Sequence, residues 1–162
     1  DMFLGQQTRD HADIEFATLP SDIPKARKAL AELDFYAAHN GELTILDRDA
    51  DAPDDIWHMW GADFKSQVWR VDMMIERGTT DRWIYKRNDA ISQPRDQAIY
   101  KNDHGIPYLS PANVLLFKAK HIRDKDDQDF ARVLPHLRSH GKVLLRCWIA
   151  SEHSAHSWLA HL

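Results

Sequence analysis

Asp13 and Glu15 stand two residues apart in Thr8-Arg9-Asp10-His11-Ala12-Asp13-Ile14-Glu15-Phe16. Apolar and acidic residues alternate there, as on a strand, and that spacing turns both carboxylates to one face. Adjacent carboxylates repel, and a divalent cation is the usual reason to keep them together. Mg²⁺ is the natural candidate, because it takes oxygen ligands and phosphate partners. An exposed strand face with two solvated acids produces the same pattern, and so short a motif often arises by chance. A third carboxylate, Asp72, interrupts the run Val71-Asp72-Met73-Met74. An acid among apolar residues is costly unless it is paired or metal-bound. Asp72 therefore either completes a three-carboxylate site with Asp13 and Glu15, or faces solvent on the side of Arg70. Alternation alone does not say which face is buried.

Lys118 lies on a helical period in Leu116-Phe117-Lys118-Ala119-Lys120. A lysine near a carboxylate–metal site can neutralise a triphosphate. It can equally belong to a solvated helix pair of alternating charge. His153, His156 and His161 form a histidine-rich tail, and His at i, i+3 can bind zinc. No third strong ligand is near in sequence, so the tail reads as surface. Cys147 follows Arg146 in an apolar helix and reads as a core residue rather than a nucleophile. There is no G-x-S-x-G, no Walker-type loop and no G-x-G-x-x-G.

These residues need strands beneath them and helices beside them. Ile14–Phe16 reads as a short strand. Ser21 or Asp22 caps a helix from Ile23 to Leu33, with Pro24 in its first turn. Phe35–Ala38 and Leu43–Leu46 flank Asn40-Gly41, a strong hairpin signal. Ile56–Trp60 and Val68–Ile75 are strand-like across a turn at 61–66. Trp83–Tyr85, Ala98–Tyr100 and Ile106–Tyr108 are shorter strands. Ser110-Pro111 then opens a helix, and Asp124–Leu137 and Gly141–Ser151 read as two more. The fold class is α+β, a mixed sheet with flanking helices and a helical C-terminal third. The expected division is 1–109 for the α/β core and 110–162 for the helical part.

The 162 residues carry 21 basic against 25 acidic side chains, a net charge of −4. That is not the basic balance of a nucleic-acid binder. Hydrophobic residues at 43% and charged residues at 28% fit an ordinary folded chain. One cysteine excludes a disulfide framework and suits a reducing cytoplasm. No apolar stretch is long enough for a bilayer, and no signal peptide is visible.

Three blocks together resemble the nucleotidyltransferase superfamily. They are Gly5-Gln6-Gln7-Thr8-Arg9-Asp10-His11-Ala12-Asp13-Ile14-Glu15, then Val71-Asp72, then Pro107-Tyr108-Leu109-Ser110-Pro111 continuing through Lys118 to Lys125-Asp126-Asp127-Gln128-Asp129-Phe130. The nearest branch is similar to the aminoglycoside 2''-adenylyltransferase-like proteins, with lincosamide nucleotidyltransferases as cousins. The resemblance covers nearly the whole chain. It implies a nucleotidyltransferase-like sheet and transfer of a nucleoside monophosphate from ATP or another NTP to a hydroxyl of a small acceptor. It makes Asp13, Glu15 and Asp72 the Mg²⁺ ligands and catalytic carboxylates. Asp72 shares the metal or acts as general base. Thr8 and Arg9 would lie beside the phosphates and Lys118 would contact the nucleotide. Lys125, Asp126 and Asp129 would form a helix-to-helix network. The family's first strand and its Gly-Gly or Gly-Ser pair would fall ahead of Asp1.

A cationic, hydroxyl-rich acceptor of aminoglycoside type is expected. Asp47, Asp49, Asp51, Asp54 and Asp55 form an acidic run before Trp57 and Trp60, whose rings can stack on sugars or cations. The bland alternative is a solvated loop and two core tryptophans. No nucleic-acid or membrane partner is expected, and homo-oligomerisation is left open. The competing functions are a non-catalytic nucleotide- or partner-binding protein on a degenerate nucleotidyltransferase fold, and an unrelated α+β module with exposed acids.

Overall fold

Alternation with period two becomes a sheet only when one face of every strand finds cover. In a computed structural model describing residues 1–11, 14–53 and 55–162, that cover is a helix on one face of a five-stranded sheet. The chain forms two units, residues 9–92 and residues 1–8 with 93–162.

The first of these holds β1 (Ile14–Thr18), α1 (Ile23–Ala29), β2 (Asp34–His39), β3 (Glu42–Leu46), β4 (His58–Asp63), β5 (Val68–Ile75) and β6 (Arg82–Ile84). The sheet order is β1-β5-β4-β2-β3, with β1 parallel to β5 and the other neighbours antiparallel. The mixed α+β class expected above is what forms. Phe35, Ala37, Met59, Val71, Met73 and Ile75 point to the α1 side. There they pack with Ile23 and Leu33, and with the partly buried Ala26 and Leu30.

Local chemistry explains the hairpin. Asn40 (φ 50°) and Gly41 (φ 83°) both take the left-handed region that a tight β2–β3 turn of this type requires. Helix α1 stops at Ala29, short of the expected Leu33, because Leu33 turns into the sheet core and is 7% exposed. Strand β4 begins later than expected and runs through Gly61, which reads as a turn residue in the sequence. Gly61 serves close approach instead. A Cβ there would lie 2.6 Å from Val71 Cγ2 and 3.0 Å from Leu33 Cδ1.

The other unit takes in β7 (Ser92–Pro94) from Gln93 onward. It also holds α2 (Arg95–Ala98), β8 (Ile99–Lys101), β9 (Pro107–Leu109), α3 (Pro111–Lys118), α4 (Asp124–Val133) and α5 (Ser139–Glu152). Pro111 starts α3 behind Ser110 as expected. Leu134-Pro135-His136 closes α4 as a 3-10 turn, so that helix is shorter than its periodic pattern. Leu115, Leu116, Leu145 and Ile149 are fully buried between α3 and α5. Cys147 is exposed, which corrects the core reading. α5 buries Leu145, Trp148 and Ile149, and Cys147 projects from the other side. Among the described residues, no helix is long and apolar enough to cross a membrane.

Candidate functional site

Glu15 pairs with Asp72 across the parallel β1–β5 ladder. Phe16 pairs with Met73, which faces the core and is 0% exposed. The two acids therefore occupy the opposite face, turned away from α1. Asp13 lies outside the described residues, as does Asp54. Glu15 is exposed, and no hydrogen bond or ion pair of its carboxylate is found among the described residues. Asp72 is half-buried, and its Oδ1 stands 3.1 Å from His58 Nδ1. His58 Nε2 in turn stands 2.7 Å from Lys86 Nζ. Sequence reasoning missed His58 and Lys86, because nothing in their spacing announces them. The β4–β5 register and the loop after β6 bring them to Asp72.

Aromatic rings continue this face. Trp60 pairs with Asp72, and Tyr36 pairs with Trp60. A register shift between Gly61 and Ala62 brings Trp69 beside them. Its ring meets Trp60 and Tyr36 edge-on, with centroids 5.4 Å away in each case. Trp60 is 36% and Trp57 38% exposed, so neither is a core residue.

Asp49 and Asp51 of the acidic run lie on the other side of the sheet. The Arg27 guanidinium on α1 donates to the carbonyls of Asp47 and Ala50, while Ala52 and Ile56 pack into the core beneath. A groove of about 1160 Å³ opens there, lined by Arg27, Asp49, Asp51, Trp57 and Arg77 among others. The Arg77 guanidinium lies 4.6 Å from the Trp57 ring centroid. Neither Glu15 nor Asp72 lines this groove.

The remaining expected residues sit as follows. Thr8 donates from its backbone N–H (3.1 Å) and its hydroxyl (2.6 Å) to Asp1 Oδ1. Arg9 Nη1 donates to the Asp10 carbonyl at 3.1 Å. Lys118 Nζ stands 2.8 Å from Asp126 Oδ1 and 3.0 Å from Asp129 Oδ2, bridging α3 to α4. Arg123 Nε adds a 2.7 Å bond to Asp126 Oδ2. Burial alone would raise the Asp126 carboxyl, but Arg123 and Lys118 hold it well below the usual carboxylate range. Lys125 is exposed on α4.

His156 is no loose tail residue. Its Nδ1 accepts from Trp158 N–H at 3.0 Å, and its Nε2 lies 3.1 Å from the Ala119 carbonyl. Burial lowers its pKa. Among the described residues, no group of three or more His, Cys, Asp or Glu is arranged to hold a metal. Comparison of the chain with protein-family models, curated proteins and solved structures gives no match.

Proposed function

We propose that the chain is a nucleotidyltransferase that moves a nucleoside monophosphate from ATP or another NTP to a hydroxyl of a small acceptor. The observation that supports this most is the Glu15–Asp72 register. It sets two acids on one face of neighbouring strands, with Glu15 unpaired among the described residues. Like charges so placed repel, and a bound cation would relieve that repulsion.

Carboxylate oxygens are the donor type that Mg²⁺ takes, and Glu15 has no other partner among the described residues. Glu15 and Asp72 would hold the ion, with Asp13 two residues before Glu15. The chemistry such an ion would supply there is positive charge against the phosphates. Asp72 takes the proton of the acceptor hydroxyl. The acceptor oxygen then bonds to the α-phosphorus, the bond from that phosphorus to the bridging oxygen breaks, and pyrophosphate leaves. Arg9, in the same unit as Glu15 and Asp72, is proposed to lie along the phosphates. The exposed rings of Trp60 and Trp69 offer an acceptor sugar a stacking surface beside Asp72. An acceptor of aminoglycoside type would make the activity antibiotic-modifying.

Calorimetric titration with ATP, with and without Mg²⁺, is the first test. Transfer of label from α-phosphate-labelled ATP to a panel of aminoglycosides is the second. Mg²⁺-dependent binding followed by labelled acceptor is expected. A chain that binds no nucleotide in either condition overturns the reading.

One observation favours a second reading, a non-catalytic binding protein on the same kind of fold. The Lys118 ammonium is committed to Asp126 and Asp129. Nucleotide binding without transfer to any acceptor would select that reading.

A further inference from the structure

His58 takes no part in the reaction as proposed so far. It lies on β4 two residues before Trp60, so it shares the face of Asp72. Its Nδ1 meets Asp72 Oδ1 at 3.1 Å, and its Nε2 meets the Lys86 amine at 2.7 Å. A lysine ammonium has three donors and no acceptor, so Nε2 must accept from Lys86 and carry no proton. Nδ1 is then the ring nitrogen that carries a proton, and it donates to Asp72. Lys86 thereby selects the tautomer that Asp72 needs.

From this chain of contacts we propose that His58 is a positioning residue for Asp72, locked by Lys86 as the Nδ1–H tautomer. The proposal rests on the nucleotidyltransferase reading. Rotation about the last bond of an aspartate is soft, so a carboxylate hydrogen-bonded through neither oxygen samples a broad range of planes. Anchoring Oδ1 fixes the carboxyl plane and leaves Oδ2 to receive the acceptor proton at a defined angle. The His58 side chain is 30% exposed, so shortening or replacing it opens no sealed core cavity.

The test uses the full chain in two measurements. Long-range nitrogen–proton NMR of the His58 ring near neutral pH should find the proton on Nδ1, and Lys86→Met should redistribute it between the two nitrogens. Transfer of labelled adenylate from Mg·ATP to an aminoglycoside should then separate two variants. His58→Asn places an amide donor near the Nδ1 position and should stay within about threefold of the unaltered chain. His58→Gln moves the donor away and should lower kcat by about 10²-fold, with the KM for ATP within about twofold. A structural role would instead shift KM and melting temperature together. If the unaltered chain transfers label at a rate that His58→Gln leaves unchanged, or if the proton is found on Nε2, this role alone is overturned. If the unaltered chain transfers nothing, the nucleotidyltransferase reading falls and this role falls with it.

Discussion

Glu15 and Asp72 are register partners across β1 and β5, side by side on the sheet face that α1 leaves uncovered. Their neighbours Phe16 and Met73 form the next pair and turn to the core. A cation-binding role for this pair and a merely solvated role differ in what happens when one charge is removed.

Glu15→Gln and Asp13→Ala should each abolish Mg²⁺-dependent ATP binding while leaving the melting temperature of the ligand-free chain within about a degree. Glu15 is exposed and has no partner among the described residues, and exposed substitutions of this kind cost within about 0.5 kcal/mol. Calorimetry and a melting curve on the same samples decide it. A sharp fall in melting temperature would show that the acid is structural.

Gly61→Ala should destabilise the sheet unit. The new methyl meets Val71 Cγ2 at 2.6 Å, and a β-branched side chain on a strand has little room to turn. Overpacking of this kind costs about 1–3 kcal/mol. The urea midpoint should drop, and Val71→Ala in the same chain should cost less than it does alone. Simple additivity of the two substitutions would refute the clash.

Asp126 should make the chain sensitive to acid. Its carboxyl is held below its unfolded value of about 3.9, so its contribution is full above that value. The contribution is lost as pH falls from about 4 toward the depressed value. Asp126→Asn removes the buried charge between Lys118, which keeps Asp129, and the exposed Arg123 guanidinium, and should cost about 1.5–3 kcal/mol at neutral pH. The measurable sign is convergence. Unfolding midpoints of parent and variant should approach each other between pH 5 and 2, each unit of pH below the unfolded value removing up to about 1.4 kcal/mol. A constant gap across that range would rule the mechanism out.

The acceptor should depend on Trp60 rather than on the acidic loop. Trp60 is the register partner of Asp72, whereas Asp49 and Asp51 line the groove on the α1 side. Trp60→Ala should raise the KM for an aminoglycoside by about tenfold, in keeping with about 1–1.5 kcal/mol for a ring contact. Asp49→Asn with Asp51→Asn should leave that KM and its salt dependence unchanged. The reverse outcome would return substrate selection to the loop.

The amino-acid sequence by itself determined the local elements. Alternation marked β1 and β5, Asn40-Gly41 set the β2–β3 turn, and Ser110-Pro111 opened α3, because each depends on neighbours within a few residues. Only the tertiary structure decided that β1 lies against β5 with Glu15 opposite Asp72. A period of two defines two faces for each strand, but it does not say which strands pair or which face α1 covers. The same limit hid His58 and Lys86, whose meeting with Asp72 is a product of register and loop path. It hid the strand role of Gly61, which is legible only once Val71 and Leu33 stand beside it. It also hid that Asp49 and Asp51 lie on the α1 side of the sheet. Arg27 meets the Asp47 and Ala50 carbonyls there because α1 covers that face of the core.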